Sequence, residues 1–327
     1  MSFANYIKEI GRGEAGARDL SERDANQLYG AMLDGGVPEL ELGAILIAMR
    51  VKTESLGELL GFHQAARERL HVLRSPSANF KPIVIPTYNG ARHQPNLLPL
   101  LALLLQRFGI PVLLHGTLEG HGRVATAYIL RELDIMAQGS LTAAQKALDE
   151  EGLAFVPIAA ISPGLANLMS ARHRLGLRNS AHTIVKLLEP FDEECVRLVS
   201  VSHPAYIDKL REFFSATAST ALLMRGTEGE AFANPKRRPQ IESFEAGRHS
   251  ILFEAEVGTL KSLPALPENR EAATTAAWIR ECLAGRVPVP YPIVNQLACC
   301  LFISGYTDDM NQAKAIAAVE TGSLAAA

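Results

Sequence analysis

The polar residues with the types and spacing for chemistry in this 327-residue sequence lie in short turns that follow apolar runs. One turn follows Ile83–Ile85, a second follows Pro111–Leu114, and the apolar run Leu97–Leu105 separates them. Strand, buried helix and strand form the pattern of a parallel βαβ unit, whose ligands bind at the carboxyl ends of the strands. We therefore place a candidate cleft on Thr87, Tyr88, Asn89, Gly90, His115 and Gly116.

Two residues in or near this cleft, Arg123 and Tyr88, allow two interpretations each. Arg123 follows Gly120-His121-Gly122 where a helix is expected to begin, and a helix start attracts anions through its free N–H groups and its dipole. A turn that needs glycine for its shape explains the same residues without a ligand. Tyr88 either stacks on a nucleobase or fills the cleft as a plug.

Cations are grouped in two further places. Lys236, Arg237 and Arg238 stand between two prolines, which predicts a stiff, extended surface loop that keeps the three charges together. A second group consists of Arg172, Arg174 and Arg178. Such a loop is usually just solvated, but phosphate contacts of this kind give nucleic-acid affinity without sequence preference. Because the net charge is −3, any such affinity must come from a local patch.

The elements that must position these residues fall into two predicted domains. Residues 1–75 have helical periodicity throughout, with Ser21 and Thr53 as helix caps. Residues 80–327 alternate strands and helices, which predicts an α/β domain with a mostly parallel central sheet. From Pro163 to Leu188 the pattern returns to helix, and part of 163–190 could pack on the first domain.

Composition limits the classes of protein to which this chain can belong. The four cysteines have no metal-ligand spacing, which predicts buried free thiols in a reducing, cytoplasmic environment. The amino terminus lacks the apolar core of a signal peptide, and Leu97–Leu105 is far shorter than the ~20 residues of a membrane span. We expect a cytoplasmic protein with no membrane contact, no metal and no cofactor.

The order of these segments resembles that of anthranilate phosphoribosyltransferases, members of glycosyl transferase family 3. The shared order is a helical domain, a strand ending in a glycine turn, an apolar helix and a strand ending in His115-Gly116. The segment Leu175–Asn179 is similar to the L-G-x-R-T motif of that family, with Asn179 in place of threonine. The resemblance covers nearly the whole chain and implies the fold: a small helical domain joined to a larger α/β domain.

Three motifs depart from the pattern of the transferases. The glycine-rich turn that holds diphosphate in that family reads Pro86-Thr87-Tyr88-Asn89-Gly90 here, with one glycine and a proline that has no N–H. The H-G-N-R turn is His115-Gly116-Thr117-Leu118, and Ala231-Phe232 stands where adjacent acids would help to hold magnesium.

These departures make the chain resemble the YbiB-like branch of the family, whose members are regarded as nucleic-acid binders. That resemblance implies a homodimer formed through the helical domains, with a basic groove that binds DNA or RNA. Our first hypothesis is therefore sequence-independent nucleic-acid binding on a scaffold without a working active site. The alternative is a phosphoribosyltransferase or phosphorylase with altered substrate and metal requirements.

Overall fold

The structure, a computed structural model, describes residues 2–13, 16–258 and 265–322. It divides the chain into two units. The helical unit consists of Met1–Val72 and Ile158–Pro190, and the sheet unit consists of Leu73–Pro157 and Phe191–Ala327.

Helices and strands alternate along most of the described chain. The helices are α1 (Phe3–Ile10), α2 (Glu22–Leu33), α3 (Glu39–Lys52), α4 (Leu56–Arg67), α5 (Leu98–Arg107), α6 (Thr126–Glu132), α7 (Leu141–Glu151), α8 (Ile158–Ile161), α9 (Pro163–Ser170), α10 (Arg172–Leu175), α11 (Ala181–Ile184), α12 (Ala205–Ala216), α13 (Ala272–Leu283), α14 (Tyr291–Ile303) and α15 (Met310–Glu320). A short 3-10 helix spans Val185–Leu187. The strands are β1 (Ile83–Thr87), β2 (Val112–Gly116), β3 (Leu153–Pro157), β4 (Val196–Val201), β5 (Ala221–Arg225), β6 (Ile241–Glu245) and β7 (Arg248–Phe253).

The start of α4 corrects one prediction. Ser55, not Thr53, caps this helix: the Ser55 hydroxyl accepts a hydrogen bond from the Glu58 N–H, and the Glu58 carboxylate accepts one from the Ser55 N–H. This reciprocal pair is a capping box. Thr53 instead ends α3, with a left-handed φ of 65° and its N–H bonded to the Met49 carbonyl. The other predicted cap is confirmed, since the Ser21 side chain accepts from the Asp24 N–H.

The helical pattern over 163–188 is divided in the structure into three short helices and a 3-10 helix. Gly176 ends α10 in a left-handed conformation with φ 72°, which glycine adopts without steric penalty. The interruption separates Arg172 and Arg174, on α10, from Arg178, which follows it.

The described strands form one sheet in the order β3-β2-β1-β4-β5-β6-β7. The first five strands in this order are parallel, and β6 and β7 are antiparallel additions. All five residues of β1 are buried, which fits a continuous apolar run covered on both faces. This confirms the predicted fold class, a helical domain followed by an α/β domain with a mostly parallel sheet.

The buried helix α5 packs in the same core as β1 and β2, as the apolar run predicted. All four cysteines are buried, and Cys299 and Cys300 belong to the core through α14. In the described part of the chain, no helix has the length and apolar character needed to cross a membrane.

The sheet topology decides where the candidate site lies. Because β1, β2, β4 and β5 run parallel, their carboxyl ends share one edge of the sheet. Thr87 and Gly116 are opposite each other in register at this edge. The loops after β1, β2 and β5 therefore begin close together, although they are far apart in the sequence.

Candidate functional site

The turn after β1 and the turn after β5 meet in the sheet unit and are joined by hydrogen bonds. The Asn89 side-chain amide donates to the Gly229 carbonyl at 2.7 Å. Asn89 is buried, with 2% of its surface exposed. The two turns therefore form one compact structure at the edge of the sheet.

A buried carboxylate, that of Glu230, lies at the centre of this structure. One of its oxygens accepts hydrogen bonds from the Asn89 and Gly90 N–H groups, each at 2.7 Å. The other oxygen accepts from the Thr87 hydroxyl at 2.5 Å. Glu230 has no exposed surface. Successive backbone N–H groups that converge in a turn form a nest for an anion, and here the anion is a side chain of the chain itself.

A second carboxylate, that of Glu228, binds the next part of the same segment. It accepts hydrogen bonds from the N–H groups of Arg92 at 2.7 Å, His93 at 2.9 Å and Gln94 at 2.8 Å. Together, Glu228 and Glu230 bind five backbone N–H groups of residues 89–94. We call this arrangement the carboxylate-filled nest.

Neither glutamate was predicted as a site residue, because the family pattern predicts adjacent acids at the positions of Ala231 and Phe232. Those two residues are buried in the core of the sheet unit. The one signal in the sequence is the alternation Glu228-Gly229-Glu230 directly after a strand. Nothing in that alternation indicates that both acids face the turn after β1.

Burial decides between the two interpretations of Tyr88. Only 8% of its surface is exposed, so its ring offers no face on which a nucleobase could stack. The structure therefore favours a packing role for Tyr88.

His115 and Gly116, at the end of β2, are also buried in the sheet unit. Burial lowers the pKa of His115 to about 4, so its imidazole is neutral at pH 7. Gly116 lies so close to β1 that an added Cβ atom would stand 1.5 Å from the Thr87 carbonyl oxygen. The close approach of these strand ends helps to hold the turn after β1 in place.

The helix start predicted at Arg123 is wrong, and anion binding by Arg123 stays a prediction. The helix after this segment, α6, begins at Thr126, so Arg123 is not at a helix start. Residues 120–123 form a tight turn in which the Arg123 N–H donates to the Gly120 carbonyl at 3.0 Å. The glycine-dependent turn, the simpler of the two interpretations, is the one observed.

The cations around Arg172 to Arg178 belong to the helical unit. Arg174 forms a two-bond ion pair with Glu39, with N···O distances of 2.9 and 3.1 Å, so its charge is compensated. Burial, together with the positive charges of Arg178 and Arg172, lowers the pKa of His182 to about 3. The guanidinium groups of Arg172 and Arg178 are therefore close enough to His182 for electrostatic interaction, and both side chains are half-buried.

The loop that carries Lys236, Arg237 and Arg238 belongs to the sheet unit and is not extended as predicted. The Arg237 N–H donates to the Asn234 carbonyl at 3.1 Å, which closes a turn with Pro235 at its second position. Asparagine at the first position and proline at the second favour such a turn, and the Asn234 side chain also accepts from the Lys236 N–H.

The side chains of this loop are held by groups without charge. The Arg237 Nε donates to the Glu256 carbonyl at 3.2 Å, and the Arg238 Nε donates to the Glu254 carbonyl at 3.1 Å. The Arg238 guanidinium also lies 5.4 Å from the centre of the Phe253 ring. Lys236 and Arg237 are exposed and Arg238 is half-buried. Among the described residues no ion pair is observed for these three cations, so the loop presents uncompensated positive charge.

Within residues 2–13, 16–258 and 265–322, no group of three or more His, Cys, Asp and Glu side chains is arranged to hold a metal ion. The nearest approach to an acidic cluster in the candidate cleft is Glu228 with Glu230, and both carboxylates are bound to backbone N–H groups.

This architecture is that of the glycosyl transferase family 3 fold. A family model described as "Glycosyl transferase family, helical bundle domain" matches residues 4–70. Anthranilate phosphoribosyltransferase from Thermus thermophilus has the same fold, with a TM-score of 0.74 at 20% identity over 97% of this chain and 94% of that one. The Saccharomyces cerevisiae enzyme in complex with PRPP and Mg gives 0.74 at 13% identity over 98% and 93%.

Curated relatives extend the comparison to the sequence. "Uncharacterized protein YbiB" of Escherichia coli (strain K12) is 46% identical over 306 residues, which cover 93% of this chain and 95% of the relative. Anthranilate phosphoribosyltransferase of Rhodospirillum rubrum is 23% identical over 329 residues, which cover 98% and 93%. The chain belongs to the YbiB-like branch of the anthranilate phosphoribosyltransferase (glycosyl transferase family 3) family, as its motifs predicted.

Proposed function

We propose that this protein binds nucleic acid without sequence preference, on a transferase-like scaffold that has lost phosphoribosyl diphosphate binding. The observation that carries the proposal is the loop of Lys236, Arg237 and Arg238, whose guanidinium groups are oriented by neutral carbonyl oxygens. Cations without carboxylate partners are available to phosphate, and contacts to phosphate give affinity that does not depend on sequence.

The carboxylate-filled nest supports the loss of diphosphate binding. A diphosphate in this turn would have to displace the Glu230 carboxylate from the Asn89 and Gly90 N–H groups. It would also lie beside two negative charges, and the described residues contain no group of side chains that could hold a metal ion to offset them. Because both glutamates are engaged by backbone N–H groups, the donor set of the cleft does not fit a magnesium ion, which needs carboxylate oxygens that are free to coordinate it.

The structural neighbours do not oppose this proposal. They are named as anthranilate phosphoribosyltransferases, but their identities of 20% and 13% extend to the fold alone. Calorimetric titration with phosphoribosyl diphosphate and Mg²⁺ separates the proposal from the alternative, a transferase or phosphorylase. Micromolar binding of that ligand would favour the enzyme.

The proposal predicts a specific salt dependence. Replacing Lys236, Arg237 and Arg238 by alanine should weaken binding to a single-stranded oligonucleotide and flatten the slope of log K against log salt. The expected change in slope is about 2, since each lost phosphate contact on a single strand contributes ~0.7. Fluorescence anisotropy at several salt concentrations measures both quantities.

A matched control removes three exposed cations of the sheet unit elsewhere, at Arg107, Arg131 and Lys146. This control changes the net charge equally, so an effect of overall charge would appear in both variants. An unchanged slope in the loop variant, or equal changes in the two variants, would contradict the assigned role of the loop.

We further propose that the protein is a homodimer formed through the helical unit, as the family resemblance implies. One face of α3 carries the apolar residues Leu40, Ile47 and Val51, which are 83%, 36% and 61% exposed. Together with α1 they line an open apolar groove of about 660 Å³. A contiguous exposed apolar surface of this kind marks an interaction site, and a second copy of the same face would cover it.

This interface predicts the effect of a charge at its centre. Ile47→Lys should convert the dimer to a monomer, because an ammonium group buried in an apolar contact would have no partner. Light scattering coupled to size-exclusion chromatography measures the mass. Val319→Lys, at an exposed apolar residue of the sheet unit, is the matched control. A wild-type chain that is monomeric at micromolar concentration would refute the interface.

A further inference from the structure

A second cavity of the sheet unit lies beside the cationic loop and outside the carboxylate-filled nest. Its volume is about 440 Å³, within the roughly 300–1,000 Å³ of small-molecule sites. Its walls are the first turns of α12, the end of β5, and the segment that leads through the cationic loop into β6. We call it the Arg225 pocket after the arginine that ends β5.

Charge is the main property of the Arg225 pocket. Four arginines line it: Arg211, Arg225, Arg237 and Arg238. Arg211 is already paired, with the Glu242 carboxylate through two bonds of 2.7 Å and with Asp208 at 2.6 Å. These are the two acidic residues that line the pocket, so Arg211 accounts for both.

The positive charges of the other three arginines are not compensated by a carboxylate among the described residues. Arg225 is exposed, and the described structure gives its side chain no hydrogen bond or ion pair. Arg237 and Arg238 are held by the carbonyl oxygens of Glu256 and Glu254, which orient their guanidinium groups without neutralising them. Three guanidinium groups around one concavity, two of them oriented by carbonyl oxygens, form a receptor for an oxyanion, because each can present paired N–H donors to it.

The number of charges indicates which oxyanion. A phosphodiester inside a strand carries one negative charge, whereas a phosphomonoester carries about 1.5 to 2 at pH 7. Three uncompensated cations therefore favour the phosphomonoester. The volume exceeds that of a phosphate group alone and leaves room for the attached sugar.

The preference for a phosphomonoester favours the end of a chain. Every internal phosphate of a nucleic-acid strand is a diester, so a phosphomonoester occurs only where the strand ends. Asp208 and the Arg211–Glu242 pair lie on the wall formed by α12 and β6, where a phosphate would be repelled and sugar hydroxyl groups would find acceptors.

We infer that the Arg225 pocket binds a phosphomonoester, and, on the basis of the proposed function, that this group is the terminal phosphate of a nucleic-acid strand. Arg225, Arg237 and Arg238 contact the phosphate, and the terminal sugar lies toward Asp208. The pocket thus adds recognition of a strand end to binding that is otherwise independent of sequence.

The test compares three oligonucleotides of one sequence, with a 5′-phosphate, a 3′-phosphate or hydroxyl groups at both ends. We expect one of the phosphorylated strands to bind the wild-type protein about tenfold tighter than the hydroxyl-ended strand. Which end is preferred identifies the source of the phosphomonoester. Arg225→Ala should abolish the preference, because it removes the guanidinium that has no other contact.

Arg248→Ala is the matched control, since Arg248 is an exposed arginine on β7 that does not line the pocket. The control should keep the tenfold preference. Equal affinity of all three strands for the wild-type protein would overturn the strand-end inference and leave nucleic-acid binding intact. A preference that survives Arg225→Ala would overturn the assignment to this pocket.

Calorimetry with adenosine 5′-monophosphate tests the pocket separately from the proposed function. Binding that is lost in Arg225→Ala and kept in Arg248→Ala supports the phosphomonoester site, even if no oligonucleotide binds. No binding of the nucleotide and no preference for phosphorylated strands would overturn the site itself.

Discussion

Glu230→Ala is expected to lower the free energy of unfolding by about 3–5 kcal/mol, the typical effect of removing one partner from a buried charged network. The substitution leaves the Asn89 and Gly90 N–H groups and the Thr87 hydroxyl without the acceptor they share. Because Glu230 has no exposed surface, water replaces its carboxylate as the acceptor only if the turn opens. Urea unfolding followed by circular dichroism measures the change.

Glu268→Ala is the control for this prediction. Glu268 is an exposed glutamate, so its removal should change stability by no more than about 0.5 kcal/mol. Equal stability of the Glu230 and Glu268 variants would mean that the buried carboxylate contributes nothing.

The same variant tests whether the nest is an anion site that the chain fills itself. At constant ionic strength, pyrophosphate should raise the urea midpoint of Glu230→Ala, because an anion that binds the folded state stabilises it. The wild-type protein should show no such increase, since its own carboxylate occupies the N–H groups. A pyrophosphate effect of equal size in both proteins would contradict the interpretation of Glu230 as an internal anion.

Gly116→Ala is expected to destabilise the protein by about 3 kcal/mol, at the upper end of the range for overpacking a buried site. The added Cβ would lie 1.5 Å from the Thr87 carbonyl oxygen and 2.5 Å from its carbon, and both are backbone atoms. The ends of β1 and β2 must therefore move apart, which also shifts the Thr87 hydroxyl away from Glu230. Urea unfolding gives the loss directly.

Gly139→Ala controls for the chemical change alone. A Cβ atom at Gly139 meets nothing within 4 Å and its backbone is not left-handed, so its stability should stay within about 0.5 kcal/mol of wild type. A Gly116→Ala protein as stable as this control would show that the strand ends separate without loss.

Much of the fold could be predicted from the sequence, because it depends on local patterns. The run Ile83–Ile85 is a buried strand and Leu97–Leu105 lies in a buried helix, as apolar periodicity and length indicate. The predicted start of α4 was less accurate, because two neighbouring residues could each cap the helix. Thr53 and Ser55 are both plausible caps by residue type, and only the reciprocal bonds with Glu58 decide for Ser55.

The strand ends that carry the candidate site could be predicted from the sequence, but the hydrogen-bond partners around them could not. The turns after β1 and β2 were identified from strand ends, and the parallel sheet brings them to one edge. The state of each charged group was not predictable. Arg174 lies in a group of cations that the sequence predicts to contact phosphate. In the structure it forms an ion pair with Glu39, which is 135 residues away in the sequence.

The sequence by itself determined the family, the order of helices and strands, and the position of the cationic loop, since these follow from periodicity, motif order and composition. Only the tertiary structure decided what fills the turn after β1. Gly90 and Glu230 are 140 residues apart, and their hydrogen bond exists because β1 and β5 end at the same edge of one parallel sheet. The partner of a buried N–H group is fixed by the fold as a whole, and no local pattern in the chain records it.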